Sequence, residues 1–272
     1  MCMPVELEQP ERNNAMDNLV EVLTPKQDSQ DLDKDLETFA TKYRRALDEG
    51  FGLSLPDNPM GRLHFQATEV LPELGLPVPP GKALLHLNTF HTKEHLDGIL
   101  KTAGEIGITH ILVVSGDGSE RLPKLKPEDI GMSVNSVTSV ELIQYINARH
   151  PNAFTLGVAF NPYEPLDHEI HKMERKIAAG ARFIITQPII ERHQALEELR
   201  RFNTPVMLEA WMSKRIDLLA QCIGYDLPQN QAYDPLQNLR TLRANYPDSK
   251  MYLALVGFKT QIPEIKNILG MQ

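Results

Sequence analysis

Two cysteines in 272 residues, Cys2 and Cys222, are too few for a disulfide scaffold, and Cys2 sits in a polar N-terminal stretch. The pair fits a reducing compartment. Tryptophan is rarer still, with Trp211 alone. No apolar run approaches the roughly 20 residues that a membrane helix requires. Basic charge is in deficit: 28 Lys and Arg face 36 Asp and Glu, for a net charge of −8. That balance argues against a general binder of phosphate backbones, though it leaves room for a local basic pocket. The opening MCMPVELEQPERNNAMDN lacks the basic start and apolar centre of a signal peptide, so a cytoplasmic location is expected. Gly116-Asp117-Gly118-Ser119 is neither a Walker loop nor a Gly-x-Gly-x-x-Gly dinucleotide fingerprint. No repeat, low-complexity tract or interior linker divides the chain. It reads as a flexible tail over 1–18 followed by one catalytic domain over 19–272.

What is present is a regular alternation of two periods. Short β-rich runs fall at residues 19–23, 51–55, 82–87, 110–114, 154–160, 182–187, 205–210 and 250–256. Between them lie stretches with apolar residues at helical spacing, such as Leu96, Ile99, Leu100 and Ala103. Thr138 and Glu141 have capping-box spacing and predict a helix start near 138. The strands are apolar on both faces, as expected of a parallel sheet covered by helices. Eight such units in this length predict an α/β fold, a single (β/α)8 TIM barrel, whose chemistry belongs at the strand C-termini.

Five polar residues fall near those ends: Glu21, His86, Asp117, Gln187 and Glu209. If Glu21 points into the barrel mouth, desolvation would raise its pKa and suit it to general-acid work. If it points into a rim layer, it is merely a snorkelling acid. Asp117 between two glycines reads either as a tight turn or as a place where a flat ligand approaches the backbone. Gln187 reads either as a capped loop or as an amide for a heterocycle edge. His91-Thr-Lys-Glu94-His95 spells an inverted zincin pattern, yet no third ligand is evident and the same residues suit a first helical turn, so no metal is expected.

The run GVAFNPYEPLDHEIHKMERKIAAGARFIITQPII, residues 157–190, resembles methylenetetrahydrofolate reductases. VEVLTP, SLPDNPMG, HLN and VVSGD resemble that family's landmarks in the same order, so the likeness covers roughly residues 19–210. The resemblance implies a (β/α)8 barrel and hydride transfer between 5,10-methylene- and 5-methyltetrahydrofolate, through a flavin, NAD(P)H or both. Glu21 then matches the acid that protonates N10. Asp117 matches the residue beside flavin and pterin, and Gln187 the pterin-edge amide. His86, Asn88, Ser115, Gly116, Asp117, Phe160 and Lys176 match flavin-contacting positions. Trp211 is a candidate to stack on the folate, and Lys259 a candidate partner for its glutamate tail. The sequence departs from the family pattern at Ser115, Phe160 and Glu164, so FAD is the first expectation, with FMN or a flavin-free route as alternatives. The likeness implies tetrahydrofolate derivatives as ligands, and either a homo-oligomer or a complex with a redox or methyltransferase subunit. A second reading is a methyltetrahydrofolate-binding methyltransferase, or a partner-dependent subunit lacking its own flavin.

Overall fold

The computed structural model describes residues 16–224 and 233–272. Eight strands close into a parallel barrel in chain order. They are β1 (Leu19–Glu21), β2 (Gly52–Leu55), β3 (Ala83–Leu87), β4 (His110–Val113), β5 (Thr155–Phe160), β6 (Phe183–Thr186), β7 (Val206–Trp211) and β8 (Lys250–Ala254). Closure is made where Leu19 and Val20 of β1 pair with Tyr252 and Leu253 of β8. Helices α1 (Leu32–Asp48), α2 (Ala67–Glu73), α3 (Lys93–Glu105), α4 (Ser139–Arg149) and α5 (Leu166–Ala178) follow the first five strands. Helices α6 (Ala195–Glu198), α7 (Ile216–Ile223), α8 (Pro235–Asn245) and α9 (Ile262–Leu269) complete the described set. The expected (β/α)8 barrel is the observed fold. Among the described residues, no helix is long and apolar enough to cross a membrane.

Local chemistry explains where the helices begin. At α4, the Thr138 hydroxyl accepts from the Val140 N–H and Glu141 reaches back to the Thr138 N–H, completing the capping box. At α1, Asp31 accepts from the Lys34 N–H, and Asp33 and Asp35 place negative charge in the first turn. Phe39, Ala40, Tyr43 and Ala46 then recur on one buried face.

Two apolar layers result. Val20, Leu53, Leu85, Ile111, Val158, Ile184 and Leu208 face outward into the strand–helix layer. Leu19, Leu84, Leu112, Phe183, Ile185, Met207 and Tyr252 fill the barrel interior. Gly157 is small for a reason: a Cβ there would lie 2.0 Å from the Phe183 ring, which fills the space its hydrogen leaves. Residues 1–15 of the expected tail lie outside the described residues. Met16 is buried under the barrel, and the Asn18 side chain accepts from the Met251 N–H at 2.8 Å.

Candidate active site at the barrel mouth

Parallel register decides which polar side chains meet. Residues paired across parallel strands face the same side, and alternate residues on one strand share a face. Leu19 points inward, so Glu21 does too, and Glu21 pairs with Ser54. Ser54 pairs with inward Leu84, two residues before His86. Tyr252 pairs with both Leu19 and Glu209. Five polar groups from β1, β2, β3, β7 and β8 therefore converge on the floor of the mouth.

Their contacts are short. The Tyr252 hydroxyl donates to Glu21 Oε2 at 2.6 Å, and the Ser54 Oγ lies 2.7 Å from His86 Nε2. Leu255, in the left-handed region at φ +56°, supplies a backbone hydrogen bond to Glu21. Burial raises the Glu21 pKa, and the bonds from Tyr252 and Leu255 offset that only in part. Burial and the Glu21 charge push Glu209 well above the ordinary carboxylate range. Burial and the charges of both acids push Tyr252 far up as well. His86 falls to about 4, because burial outweighs the favourable charge of Asp57, so it is a neutral imidazole near neutral pH. Both carboxyls therefore resist ionisation more than they would on the surface.

Beside this floor a cavity of about 480 Å³ opens between the ends of β4, β5 and β6. Ser115, Gly116, Asp117 and Gln187 line one part of it, with Asn161, Glu164, Glu169, Lys172 and Lys176 opposite. Glu169 is 3% exposed, accepts from the Asn161 N–H, and pairs with Lys172 at 3.0 Å. Lys176 donates to the Ala159 carbonyl at 2.7 Å, and burial lowers its pKa despite Glu169 nearby. A larger cavity of about 760 Å³ lies at the opposite end, among the starts of β6, β7 and β8. Strand starts in these barrels carry packing rather than chemistry.

The loops after β2, β3 and β4 are stitched together. Asp57 is fully enclosed and accepts four hydrogen bonds, from Asn58 Nδ2, Gln66 Nε2, the Asn88 N–H and His91 Nε2. Asn88 Nδ2 donates to the Asp57 carbonyl, and Asn88 Oδ1 accepts from the Phe90 N–H. Thr89 donates its hydroxyl to the Ser115 carbonyl at 2.7 Å. The Phe90 ring lies against Gly116 and Gly118, where a Cβ would come within 3.2 Å and 2.8 Å of it. Lys124 sits 5.6 Å from the same ring. The flat group that approaches these glycines is thus a side chain of the same protein.

Helix α7 covers part of the mouth. Leu219 and Ile223 are buried with Trp211 and Tyr252 in the interior cluster. Cys222 on the same helix is pushed up to about 11 by burial and by the charges of Glu209, Glu21 and Asp117. These three acids therefore surround one region. Trp211 is 4% exposed, and its indole N–H has no acceptor among the described residues. Tyr233 donates to the Trp211 carbonyl at 2.7 Å.

The sequence candidates fall into groups. Glu21 and His86 meet on the floor, while Ser115, Gly116, Asp117, Lys176 and Gln187 line the adjoining cleft. Asn88, 1% exposed, is committed to Asp57 and Phe90. Phe160 is wholly buried in the outer layer against the helices, away from the mouth. Lys259 is exposed on the loop after β8. His91 precedes α3 rather than lying on it, and turns its Nε2 to Asp57. Among the described residues, no group of three His, Cys, Asp or Glu is arranged to hold a metal. Sequence reasoning assigned nothing to Ser54, Tyr252 or Asp57. The first two lie within apolar strands, and a polar residue at inward spacing was the only available signal.

Fold and mouth together define a (β/α)8 barrel whose strand ends hold buried acids beside a polar cleft. Residues 81–211 match the family model described as methylenetetrahydrofolate reductase. Methylenetetrahydrofolate reductase 2 of Schizosaccharomyces pombe (strain 972 / ATCC 24843) is 32% identical over 122 residues, which cover 40% of this chain and 18% of that protein. Methylenetetrahydrofolate reductase 1 of the same organism is 31% identical over 109 residues, covering 38% and 17%. Residues 81–211, just under half of the chain, are thus similar to the methylenetetrahydrofolate reductase family. It spans under a fifth of the length of these curated relatives. Glu21 and Lys259 lie outside the matched stretch. Among solved structures, an uncharacterized protein from Clostridium thermocellum, described as binding two copies of 5-methyl-5,6,7,8-tetrahydrofolic acid, superposes with a TM-score of 0.65. It covers 95% of this chain and 97% of its own at 13% identity, a likeness of fold alone.

Proposed function

We propose that the protein is an oxidoreductase interconverting 5,10-methylene- and 5-methyltetrahydrofolate, with NAD(P)H as the hydride partner. The observation that carries this reading is Glu21, a buried carboxyl with a raised pKa at the floor of a mouth that also holds Asp117 and Gln187. The match of residues 81–211 to the methylenetetrahydrofolate reductase model supports it, as does the folate bound by the Clostridium thermocellum barrel.

In the reductive direction Glu21 donates its proton to N10 of the substrate. The N10–methylene bond breaks with its electron pair on nitrogen, leaving a 5-iminium cation. Hydride from NAD(P)H adds to the methylene carbon and yields the methyl group. Asp117 is the negative charge that favours the cation, and it costs no reorganisation because it is already in place. The Gln187 amide presents both a donor and an acceptor to the pterin edge and fixes its angle for transfer.

The resemblance also implies a flavin, but several of the positions matched to it are engaged within the protein. Asn88 and Phe90 pack where a Cβ at Gly116 would project, and Phe90 where one at Gly118 would. Asn88 has its side chain spent on the protein, Phe160 faces the helix layer, and Lys176 is bonded to Ala159. No step of the proposed reaction runs through a flavin.

The test is turnover of methyl- or methylenetetrahydrofolate by the purified protein with NADH or NADPH, followed by nicotinamide absorbance. Glu21→Gln should lower the rate by about 10²–10⁴-fold, the usual worth of a positioned acid. Full activity in that variant refutes the acid role, and inactivity of the wild type refutes the reaction. These engaged positions also favour a second reading, a methyltetrahydrofolate-binding methyltransferase or subunit without its own redox cofactor. Folate binding with no nicotinamide turnover would select it.

A further inference from the structure

We propose that Glu209 reads the pterin ring beside Gln187: its carboxyl pairs with N1 and the 2-amino group, while the Gln187 amide takes O4 and N3–H. The inference rests on the reading of the mouth as a folate site. It deepens that reading by naming the residue that selects a 2-aminopyrimidinone ring.

Position carries it. Met207 and Trp211 of β7 face the barrel interior, so Glu209, at the alternate position between them, faces inward as well. Its backbone is held on both sides. On one side the Glu209 N–H donates to Thr186 Oγ1 at 3.1 Å, and its carbonyl accepts from the Ile189 N–H at 2.9 Å. Those two bonds set it level with Gln187 and Pro188. On the other side Glu209 pairs with Tyr252, whose hydroxyl holds Glu21. Glu209 thus stands between the proposed proton donor and the proposed pterin amide.

Its neighbours on the floor are already engaged, Tyr252 with Glu21 and Ser54 with His86. The Glu209 carboxyl makes no hydrogen bond or ion pair among the described residues, and the residue is half-buried rather than sealed. A polar group drawn out of water without partners costs stability, and a ligand that supplies the partners accounts for its place.

Chemistry selects the part of the folate. None of Glu21, Ser54, His86, Glu209 and Tyr252 is a cation near neutral pH, so this floor does not suit the carboxylates of a glutamate tail. It suits the ring. The pyrimidinone edge offers, in order, an acceptor at O4, donors at N3–H and the 2-amino group, and an acceptor at N1. An amide matches the first two. A protonated carboxyl matches the last two, accepting from the amino group and donating its O–H to N1. Burial and the Glu21 charge favour that protonated form.

The test reads binding rather than turnover. Trp211, the only tryptophan, lies on the same face two residues further along, so its fluorescence reports occupancy in the whole protein. Kd is measured for 5-methyltetrahydrofolate and for its 2-deamino analogue in wild type, Glu209→Gln and Glu209→Met. A glutamine amide carries the same donor and acceptor as a protonated carboxyl, so Glu209→Gln should bind 5-methyltetrahydrofolate within about threefold of wild type. Glu209→Met loses both bonds and should weaken binding at least about tenfold. Wild type should prefer the 2-amino ligand by several-fold, and Glu209→Met should lose most of that preference. The preference is a ratio within one variant, so a general loosening of the mouth does not move it. Equal Kd values in wild type and Glu209→Met overturn the contact, as does an unchanged preference. A tenfold loss in Glu209→Gln overturns the pairing with N1. A wild type that binds neither ligand overturns the folate reading itself.

Discussion

Removing the Asp57 carboxylate is the sharpest way to ask what braces the mouth. Asp57→Ala deletes the acceptor of four donors within one buried knot: Asn58 Nδ2 and Gln66 Nε2 at 3.0 Å, the Asn88 N–H at 2.9 Å, and His91 Nε2 at 2.7 Å. A donor stranded away from water costs about 1–3 kcal/mol, but these penalties do not simply add. The two side-chain amides can swing toward other acceptors. The Asn88 N–H is fixed by backbone, and His91 is only 2% exposed. Those two set the loss at about 3–5 kcal/mol, the range for breaking one partner out of a buried pair. For a chain near this size that is a fall in Tm of about 6–20 °C. Asp57→Asn keeps the shape and one good acceptor, and His91 can change tautomer to meet the new amide, so about 1–3 kcal/mol is expected. Urea unfolding followed by far-ultraviolet circular dichroism measures both. Burial alone would raise the Asp57 pKa, but hydrogen bonds and charge from His91, with Gln66 and Asn88, bring it below the usual value of 3.8. A depressed carboxylate pKa stabilises the fold above the unfolded value and loses that contribution as pH falls through the folded one. The penalty of Asp57→Ala should therefore be constant from neutral pH down to the carboxylate range and shrink only below it. A variant within about 1 kcal/mol of wild type at neutral pH refutes this account of the knot.

Other outcomes follow from single contacts. Gly157→Ala would press a methyl to 2.0–2.4 Å from three atoms of the Phe183 ring, so a loss of at least about 1–3 kcal/mol is expected in thermal unfolding. Thr138→Ala removes the cap of α4 and should cost about 1 kcal/mol, read by the same melt. His86 should titrate at about 4 by NMR rather than at 6.5. Its native state refuses a proton that the unfolded chain accepts, so this contribution to stability is lost as pH falls from about 6.5 to about 4, and His86→Asn should abolish that slope.

The barrel was legible because alternation and capping are local. All eight strand runs, and the α4 start at Thr138, were placed from neighbouring residues alone. Orientation was harder. A strand buried on both faces has no polar side to mark its register, so nothing in TLGVAF said that Phe160 turns toward the helices while Gly157 and Ala159 face inward. Glu209 stood out as a strand-end acid, yet its neighbour Glu21 lies at the other end of the chain. Asp57 looked like one residue of a turn-rich Pro-Asp-Asn-Pro run, because its partner His91 lies 34 positions away. The glycines around Asp117 left room for close approach of a flat group, and only the fold could say that Phe90 packs there.

The two halves of the mouth differ in how much change they can absorb. Around β2, β3 and β4 the loops are knotted through Asp57, Asn88 and Thr89, so replacing a residue there disturbs several others at once. Around β5 and β6 the cleft is bounded by side chains such as Glu164 and Gln187, which carry none of these cross-loop bonds. Inheritance should therefore treat one half as frame and the other as the adjustable jaw. New ligand preferences in relatives, or in laboratory selections, should accumulate on the jaw.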